Sequence, residues 1–435
     1  MKKTYYNFIE GVLFVLEKLV IQGLNTLNGE IAVHGAKNSA LPILAASILN
    51  GSKNLLYNCP RIKDIDCAVK ILNRLGCATK QNGSIISIDS YSLSGYDIPE
   101  SLMAEMRGSI VFLGALTARC KKARICYPGG CEIGQRPIDI HLEGLRRLGV
   151  IIDEEHGMLN CRVDKPLTGA KISLPFPSVG ATENIMLAAV TARGETVIGN
   201  AAAEPEIADL ADYLNKCGAI VRGAGENTIY IQGVAELHGA EHTIIPDRIV
   251  ACTYLCAAAI TGGSLLVKNM NPLHIEAVLE LFEQSGCRMM TEPDRVHITA
   301  KKPPDPIHTA RTLPYPGFPT DIVAPMTAIA TIADGTSIFV ENIFENRYKH
   351  VAELIKMGAD ISVEGRAAVI RGVDRLYGAS VKATDLRGGA ALVLAGLAAE
   401  GTTYITEMPH IDRGYECIEK SLSSVGAKIT RLCTP

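Results

Sequence analysis

The sequence predicts an α/β protein of two domains, each assembled from three copies of one supersecondary unit. Three observations carry that prediction. The 435 residues exceed what one hydrophobic core usually serves, so two domains of roughly 200 residues are expected. A block reading GETVIGNAAAEPEIADLADYLNKCGAIVRG from Gly194 shares its grammar with GTSIFVENIFENRYKHVAELIKMGADISVEG from Gly335, and similar blocks begin at Gly51, near Lys122, at Gly263 and at Gly401. Each block then reaches a glycine, at Gly76, Gly149, Gly218, Gly286, Gly358 and Gly426, with a spacing of about 70 residues that suits a compact βαβ-type unit.

Within a unit the elements follow in order. A helix rich in small residues leads to a Gly turn, a β-branched strand, a connection, an amphipathic helix ending near Leu-Gly, and further strands. Gly at the helix end supplies a left-handed cap, and β-branched residues suit strands, as in SIFVEN around Val340, followed by Leu354 and Ile355 on the next helix. The leading helices open with Lys37-Asn38, Arg107, Thr182-Glu183, Asp247-Arg248, Thr320-Asp321 and Asp385-Leu386-Arg387, and then turn almost wholly apolar, as in ALPILAASIL and GAALVLAGLAA. Helices that apolar must be buried. Their charged ends must then reach a cleft, because unpaired ionised groups are expensive to bury. Several positive helix ends facing one cavity would bind phosphates. The plainer reading of the Asp and Thr residues there is an N-cap role.

Composition narrows the function classes. A net charge of -3, with Lys and Arg spread along the chain, leaves no basic stripe for nucleic acid. Thirteen cysteines are an odd number, scattered and without a convincing secretion signal, which fits a reducing compartment and a cytoplasmic location. Cys252 and Cys256 are separated by three intervening residues in an apolar helical stretch and lack a matching Cys/His pair, so they read as packing residues and no metal site is expected. The opening segment, residues 1–15, carries Asn7 and Glu10 within its apolar run and no cleavage site follows; Phe8, Ile9, Val12, Leu13 and Leu16 fall at helical spacing. It reads as an amphipathic or upstream extension. No membrane association is expected, and nothing demands oligomerisation, so a monomer is the expectation.

The loop from Tyr127 to His141, YPGGCEIGQRPIDIH, is the most unusual in the chain. Gly129, Gly130 and Gly134 surround Cys131, with Arg136, Asp139 and His141 close behind. Glycines free the backbone amides, and nearby cations favour a thiolate, so Cys131 reads as a reactive cysteine. Neither a Walker A sequence nor HExxH occurs.

These residues resemble a known family. GAKNSALPIL at Gly35–Leu44, PGGCEIGQRPIDIH at Pro128–His141, PSVGATENIM at Pro177–Met186, PDRI at Pro246–Ile249, FPTD at Phe318–Asp321, FENR at Phe344–Arg347, ATDLR at Ala383–Arg387 and HIDRGYE at His410–Glu416 are similar to the UDP-N-acetylglucosamine 1-carboxyvinyltransferase pattern, in order, from about Leu16 to the C-terminus. The resemblance implies a two-domain inside-out α/β barrel of the EPSP synthase type, each domain built of three pseudo-threefold repeats. The chain would cross near residues 36 and 246, giving a domain of residues 37–245 that bears the cysteine loop and a second of residues 16–36 and 246–435, with the active site between them. The cysteine loop would close over the substrates as a lid.

What the resemblance implies for individual residues follows the motifs. Lys37, Asn38, Arg136, Arg413 and Cys131 match positions that meet phosphoenolpyruvate, with the arginines offering bidentate forks. Arg107, Arg136, Pro137, Ile138, Asp139, Ile140, Ser178, Val179, Gly180, Asp321 and Ile343 match contacts to UDP-N-acetylglucosamine. Lys63, His141, Asp247, Arg347, Asp385 and Arg387 resemble supporting positions. Phe176 stands where some members carry a lysine, so one contact to the uridine diphosphate would differ. No cofactor or metal is implied; the two substrates are the partners.

The chemistry follows from charge. C3 of phosphoenolpyruvate must take a proton before C2 accepts a hydroxyl, which requires an acid and a base. Cys131 is expected to supply the proton and to be able to add to C2. Asp321 is expected to take the proton of the 3'-hydroxyl, and Lys37, Arg136 and Arg413 to stabilise the tetrahedral intermediate. The alternatives are a related transferase acting on shikimate 3-phosphate, which would not call for a reactive cysteine, and a non-catalytic paralogue, against which the intact set of Lys37, Asn38, Cys131, Arg136, Asp321 and Arg413 speaks. A phosphate cyclase of nucleic-acid ends uses a similar repeat, but the charge balance offers no surface for RNA.

Overall fold

The computed structural model describes residues 16–127 and 138–434. Among these the strands form six separate sheets, five of four strands and one of three, one sheet per predicted unit. The unit starting at Val179 shows the plan. A fully apolar helix, Val179–Ala189, leads to strand Glu195–Gly199, then to the amphipathic helix Pro205–Lys216 and the hairpin Ile220–Arg222 with Thr228–Gln232. Strand Glu195–Gly199 pairs antiparallel with Thr228–Gln232 and parallel with Lys171–Ser173. Alternation decides which face is covered: Thr196 and Ile198 point inward while Glu195 is exposed.

All six glycines read as helix caps, Gly76, Gly149, Gly218, Gly286, Gly358 and Gly426, have φ between 81° and 104°, where a side chain would be strained. The unit near Lys122 lacks a glycine before its strand, and there Lys121 itself takes the left-handed conformation, with φ 57°. Three helix starts differ from the sequence reading, at Thr182, at Arg107 and at Thr320, the last opening a 3-10 turn, Thr320–Ile322, before the helix Val323–Ala330. The helix placed at Thr182 opens at Val179, because Ser178 caps it by accepting from the Ala181 amide at 3.4 Å. Arg107 opens a 3-10 turn, Arg107–Val111, that runs into the helix Phe112–Cys120.

The buried apolar residues divide into two clusters. One spans Ala36 to Ile244. The other combines Leu19–Val33 with Ile249–Ile429. In the first, helix Phe112–Cys120 packs against Lys37–Ala46 and Val179–Ala189; in the second, Arg248–Thr261, Val323–Ala330 and Leu386–Ala398 pack on one another. The helices are inside and the sheets outside, which is why these helices carry no polar face. Gly114 shows how close they come: a Cβ there would lie 2.2 Å from the Asn184 carbonyl oxygen.

The second cluster uses both ends of the chain. Strand Leu16–Gln22 lies between Thr402–Thr406 and Lys428–Thr434, antiparallel to both, and Asn28–Ala32 runs parallel to Ser264–Lys268. The two chain passages between clusters lie side by side. The Ala36 amide donates to Ile245 O at 2.7 Å and the Asp247 amide to His34 O at 2.9 Å. The charged N-terminal ends of helices from both clusters thereby meet at one seam.

Candidate active site

Helix starts supply most of the seam. Asp247 and Asp385 are N-caps, as the plainer reading allowed: Asp247 Oδ1 accepts from the Ile249 and Val250 amides at 2.9 and 3.0 Å, and Asp385 Oδ1 from the Arg387 and Gly388 amides at 3.0 Å each. Asp247 also reaches across, its Oδ2 accepting from the Lys37 amide at 3.2 Å. Asp321 behaves differently. It caps nothing with its side chain and instead accepts from Arg347 Nη2 at 2.6 Å and Arg387 Nε at 3.4 Å, both on Oδ1.

Electrostatics make Asp321 a firm anion. Burial alone would raise its pKa, but the guanidinium groups of Arg387 and Arg347 and the ammonium of Lys37 outweigh it and hold the carboxyl well below the usual range. Arg387 is buried, stacks over the Tyr415 ring at 5.4 Å, and keeps its charge because Tyr415, Asp321 and Asp247 outweigh the burial. Its Nη1 is buried with no hydrogen-bond partner among the described residues. An oxygen of a bound anion would satisfy that donor.

Lys37 opens the facing helix, with Nζ 3.3 Å from Asp64 Oδ2. Arg413, from the other cluster, donates to the same carboxylate: Nε to Oδ1 at 2.8 Å and Nη2 to Oδ2 at 3.4 Å. Lys63 lies 3.7 Å from Asp412, and Arg61 pairs with Glu416. Burial lowers the pKa of Lys37; Arg387 and Arg413 lower it further, while Asp64 and Asp321 oppose them. Asn38, the next residue, is half-buried. Lys37, Arg347, Arg387 and Arg413 thus gather around Asp64 and Asp321, a set of cations suited to a ligand bearing both phosphate and carboxylate.

A second group lies at the first cluster's helix ends. Asn184 fixes His141: its Oδ1 accepts from the Gly114 amide at 2.7 Å, and its Nδ2 donates to Ile110 O at 3.0 Å and to His141 Nδ1 at 2.9 Å. The proton of His141 therefore sits on Nε2. Burial, aided by Arg107 and opposed by Asp139, lowers its pKa to about 4, so the ring is neutral at pH 7. Gly180 leaves room for this ring, since a Cβ there would lie 2.9 Å from His141 Cε1. Ser178, Val179 and Gly180 start one helix and Asp139, Ile140 and His141 another, with Ile138 buried just before it. Ile343 follows Glu341, whose buried carboxylate accepts from the Thr312 and Thr320 hydroxyls and the Ile343 and Phe344 amides at 2.7–3.1 Å. Phe176 is exposed.

Cys131, Arg136 and Pro137 lie outside the described residues. Cys252 and Cys256 are fully buried in the apolar helix Arg248–Thr261, as their surroundings in the sequence indicated. Among the described residues, Asp209, Asp212 and His242 come together with metal-ligand spacing, but the Lys216 ammonium lies against two of them, 2.7 Å from Asp212 and 3.1 Å from His242 Nδ1.

The sequence reading missed Asp64, Tyr415, Glu341 and the buried pair of Arg248 with Glu206, whose carboxylate oxygens lie 3.0 and 3.3 Å from Nε. Asp64 follows Lys63 at a helix start, where an acidic residue looks like an ordinary complement to the helix dipole. No local pattern announces a partner 349 positions away.

The family model of EPSP synthase (3-phosphoshikimate 1-carboxyvinyltransferase) matches residues 21–422. UDP-N-acetylglucosamine 1-carboxyvinyltransferase 2 of Caldanaerobacter subterraneus subsp. tengcongensis is 54% identical over 415 residues, 95% of this chain and 99% of its own. The UDP-N-acetylglucosamine 1-carboxyvinyltransferase of Trichlorobacter lovleyi is 46% identical over 420 residues, 97% of this chain and 100% of its own. Among solved structures, the enolpyruvyl transferase NikO from Streptomyces tendae superposes with a TM-score of 0.86 at 24% identity, covering 97% of this chain and 100% of that one. An EPSP synthase from Acinetobacter baumannii gives 0.74 at 18%, covering 96% and 100%. At those identities the solved structures speak to the fold alone.

Proposed function

Because the chain belongs to the family of UDP-N-acetylglucosamine 1-carboxyvinyltransferases, we propose that it transfers the enolpyruvyl group of phosphoenolpyruvate to the 3'-hydroxyl of UDP-N-acetylglucosamine, releasing phosphate. The observation that carries this reading is the convergence of Lys37 from one cluster with Asp321, Arg387 and Arg413 from the other at a single seam. The two clusters are read as the two domains, residues 37–245 and residues 16–36 with 246–435, working as a monomer. The product would commit the sugar to peptidoglycan precursors, and a cytoplasmic reaction belongs to the same reading.

The Cys131 thiol gives its proton to C3 of phosphoenolpyruvate, the 3'-oxygen bonds to C2, and the hydroxyl proton passes to Asp321. A carboxylate held so acidic is a weak base, so proton transfer follows C–O bond formation, when the hydroxyl has become strongly acidic. Lys37, Arg136 and Arg413 take the phosphate and carboxylate charge of the tetrahedral intermediate. Elimination returns a proton from C3 to the Cys131 thiolate, restores the C2–C3 double bond and breaks the bond from C2 to the phosphate oxygen, whose electron pair leaves on phosphate together with the proton held by Asp321. Arg347 and Arg387 hold Asp321 in place, and Ser178 to Gly180, Arg107 and Ile343 receive the nucleotide sugar.

Phosphate release measured with each acceptor tests the reading. Turnover with UDP-N-acetylglucosamine and none with shikimate 3-phosphate is expected; the reverse ends the proposal. Cys131→Ser should abolish turnover, and full activity in that variant would remove the thiol from the mechanism.

A further inference from the structure

Asp64 has no part in the chemistry just described, yet its carboxylate binds both Lys37 and Arg413. It is 3% exposed at the first turn of helix Lys63–Arg74 and binds Lys37, from the first cluster, and Arg413, from the second. The segments around it are tied as well: the Lys63 amide donates to Asp412 O at 3.0 Å, and the Arg61 amide to Glu416 Oε2 at 3.0 Å. These neighbours are more exposed and contribute little.

We propose that Asp64 is a positioning residue: its carboxylate stands in for the donor's anionic groups in the unliganded seam, holding Lys37 and Arg413 together, and yields part of Arg413 when phosphoenolpyruvate arrives. The inference rests on the enolpyruvyl reading of this site. Geometry supports it first. Arg413 presents its Nε and Nη2 edge to Asp64 in a side-on fork, the geometry that a carboxylate or phosphate would also use. Charge supports it next. The groups facing the Lys37 ammonium are Asp64, Arg413, Arg387 and Asp321, and Asp247 accepts from its amide. Burial and two guanidinium groups push toward the neutral amine, and the carboxylate at 3.3 Å opposes them in favour of the ammonium. A neutral Lys37 would lose the charge that meets phosphate.

The test measures phosphoenolpyruvate affinity against pH by calorimetry in a Cys131→Ser background, where the thiol neither titrates nor reacts. Adding Asp64→Asn should move the alkaline loss of affinity to lower pH, read as roughly a tenfold weaker Kd on that limb. Asp64→Glu, which keeps the charge, should leave the limb near the parent's. With the native cysteine, Asp64→Asn should raise KM for phosphoenolpyruvate several-fold while KM for the nucleotide sugar stays within about twofold. Asp64→Ser replaces the amide variant if that one fails to fold. An unshifted limb in the neutral variant, or equal rises in both KM values, overturns the inference and leaves the functional reading intact. A parent protein that does not bind phosphoenolpyruvate overturns both.

Discussion

Asp321→Asn offers the sharpest separation of charge from shape. The amide keeps the volume and one acceptor oxygen, so the variant removes a negative charge from between Arg347 and Arg387, each with a side chain 3% exposed. Breaking a buried ion pair from one side typically costs 3–5 kcal/mol. Asp321 is itself 32% exposed, and the solvent reaching it lowers the expectation to about 2–3 kcal/mol. The pH dependence carries a sign. The native pKa is depressed, so the stabilisation is fully present above the unfolded value of about 3.9 and fades as pH falls below it toward the native value. Urea unfolding of parent and variant should give a constant gap from pH 7 to 5 and a shrinking one near pH 3.5. Turnover at pH 7 should fall by roughly 10²-fold or more through loss of the base. A gap below ~0.5 kcal/mol at pH 7, or one indifferent to acid, would refute the claim that this carboxylate anchors the two arginines.

Three further outcomes follow from the packing. Gly180→Ala puts a Cβ 2.9 Å from His141 Cε1, so the ring must move; KM for the nucleotide sugar should rise several-fold with about 1–2 kcal/mol lost in urea titration. Gly114→Ala brings a Cβ to 2.2 Å from rigid backbone, and should cost more than about 3 kcal/mol or prevent folding, seen as loss of soluble protein. His141 and His350 are both lowered to about 4, chiefly by burial. The unfolded chain binds more protons than the native one between pH 6.5 and 4, so stability should drop across that window as pH falls, and His141→Gln should flatten the drop by about 2–3 kcal/mol in denaturant titrations at pH 7 and 4.5.

What is legible in the order of residues is the repeated local grammar. The six cap glycines were visible because a left-handed turn after a helix selects Gly wherever it occurs. The buried helices were visible because a helix surrounded by sheets has no polar face to keep. Even the charged helix starts, Lys37, Asp247, Asp321 and Arg387, could be picked out, as each interrupts an apolar run. The function of each start was not: Asp247 and Asp385 cap their helices while Asp321 binds arginines, a distinction made by partners far along the chain.

Sequence by itself therefore determined the unit, its sixfold repetition and the thiol-bearing loop that matched a family, all features encoded within a few tens of residues. Tertiary structure decided the rest: that residues 16–22 complete the last sheet, and that Asp64 sits under both Lys37 and Arg413. The physical reason is range. Hydrogen bonding and periodicity act between near neighbours and leave their pattern in the order of residues. Coulomb attraction between groups 349 positions apart exists only after two cores have packed and brought them together.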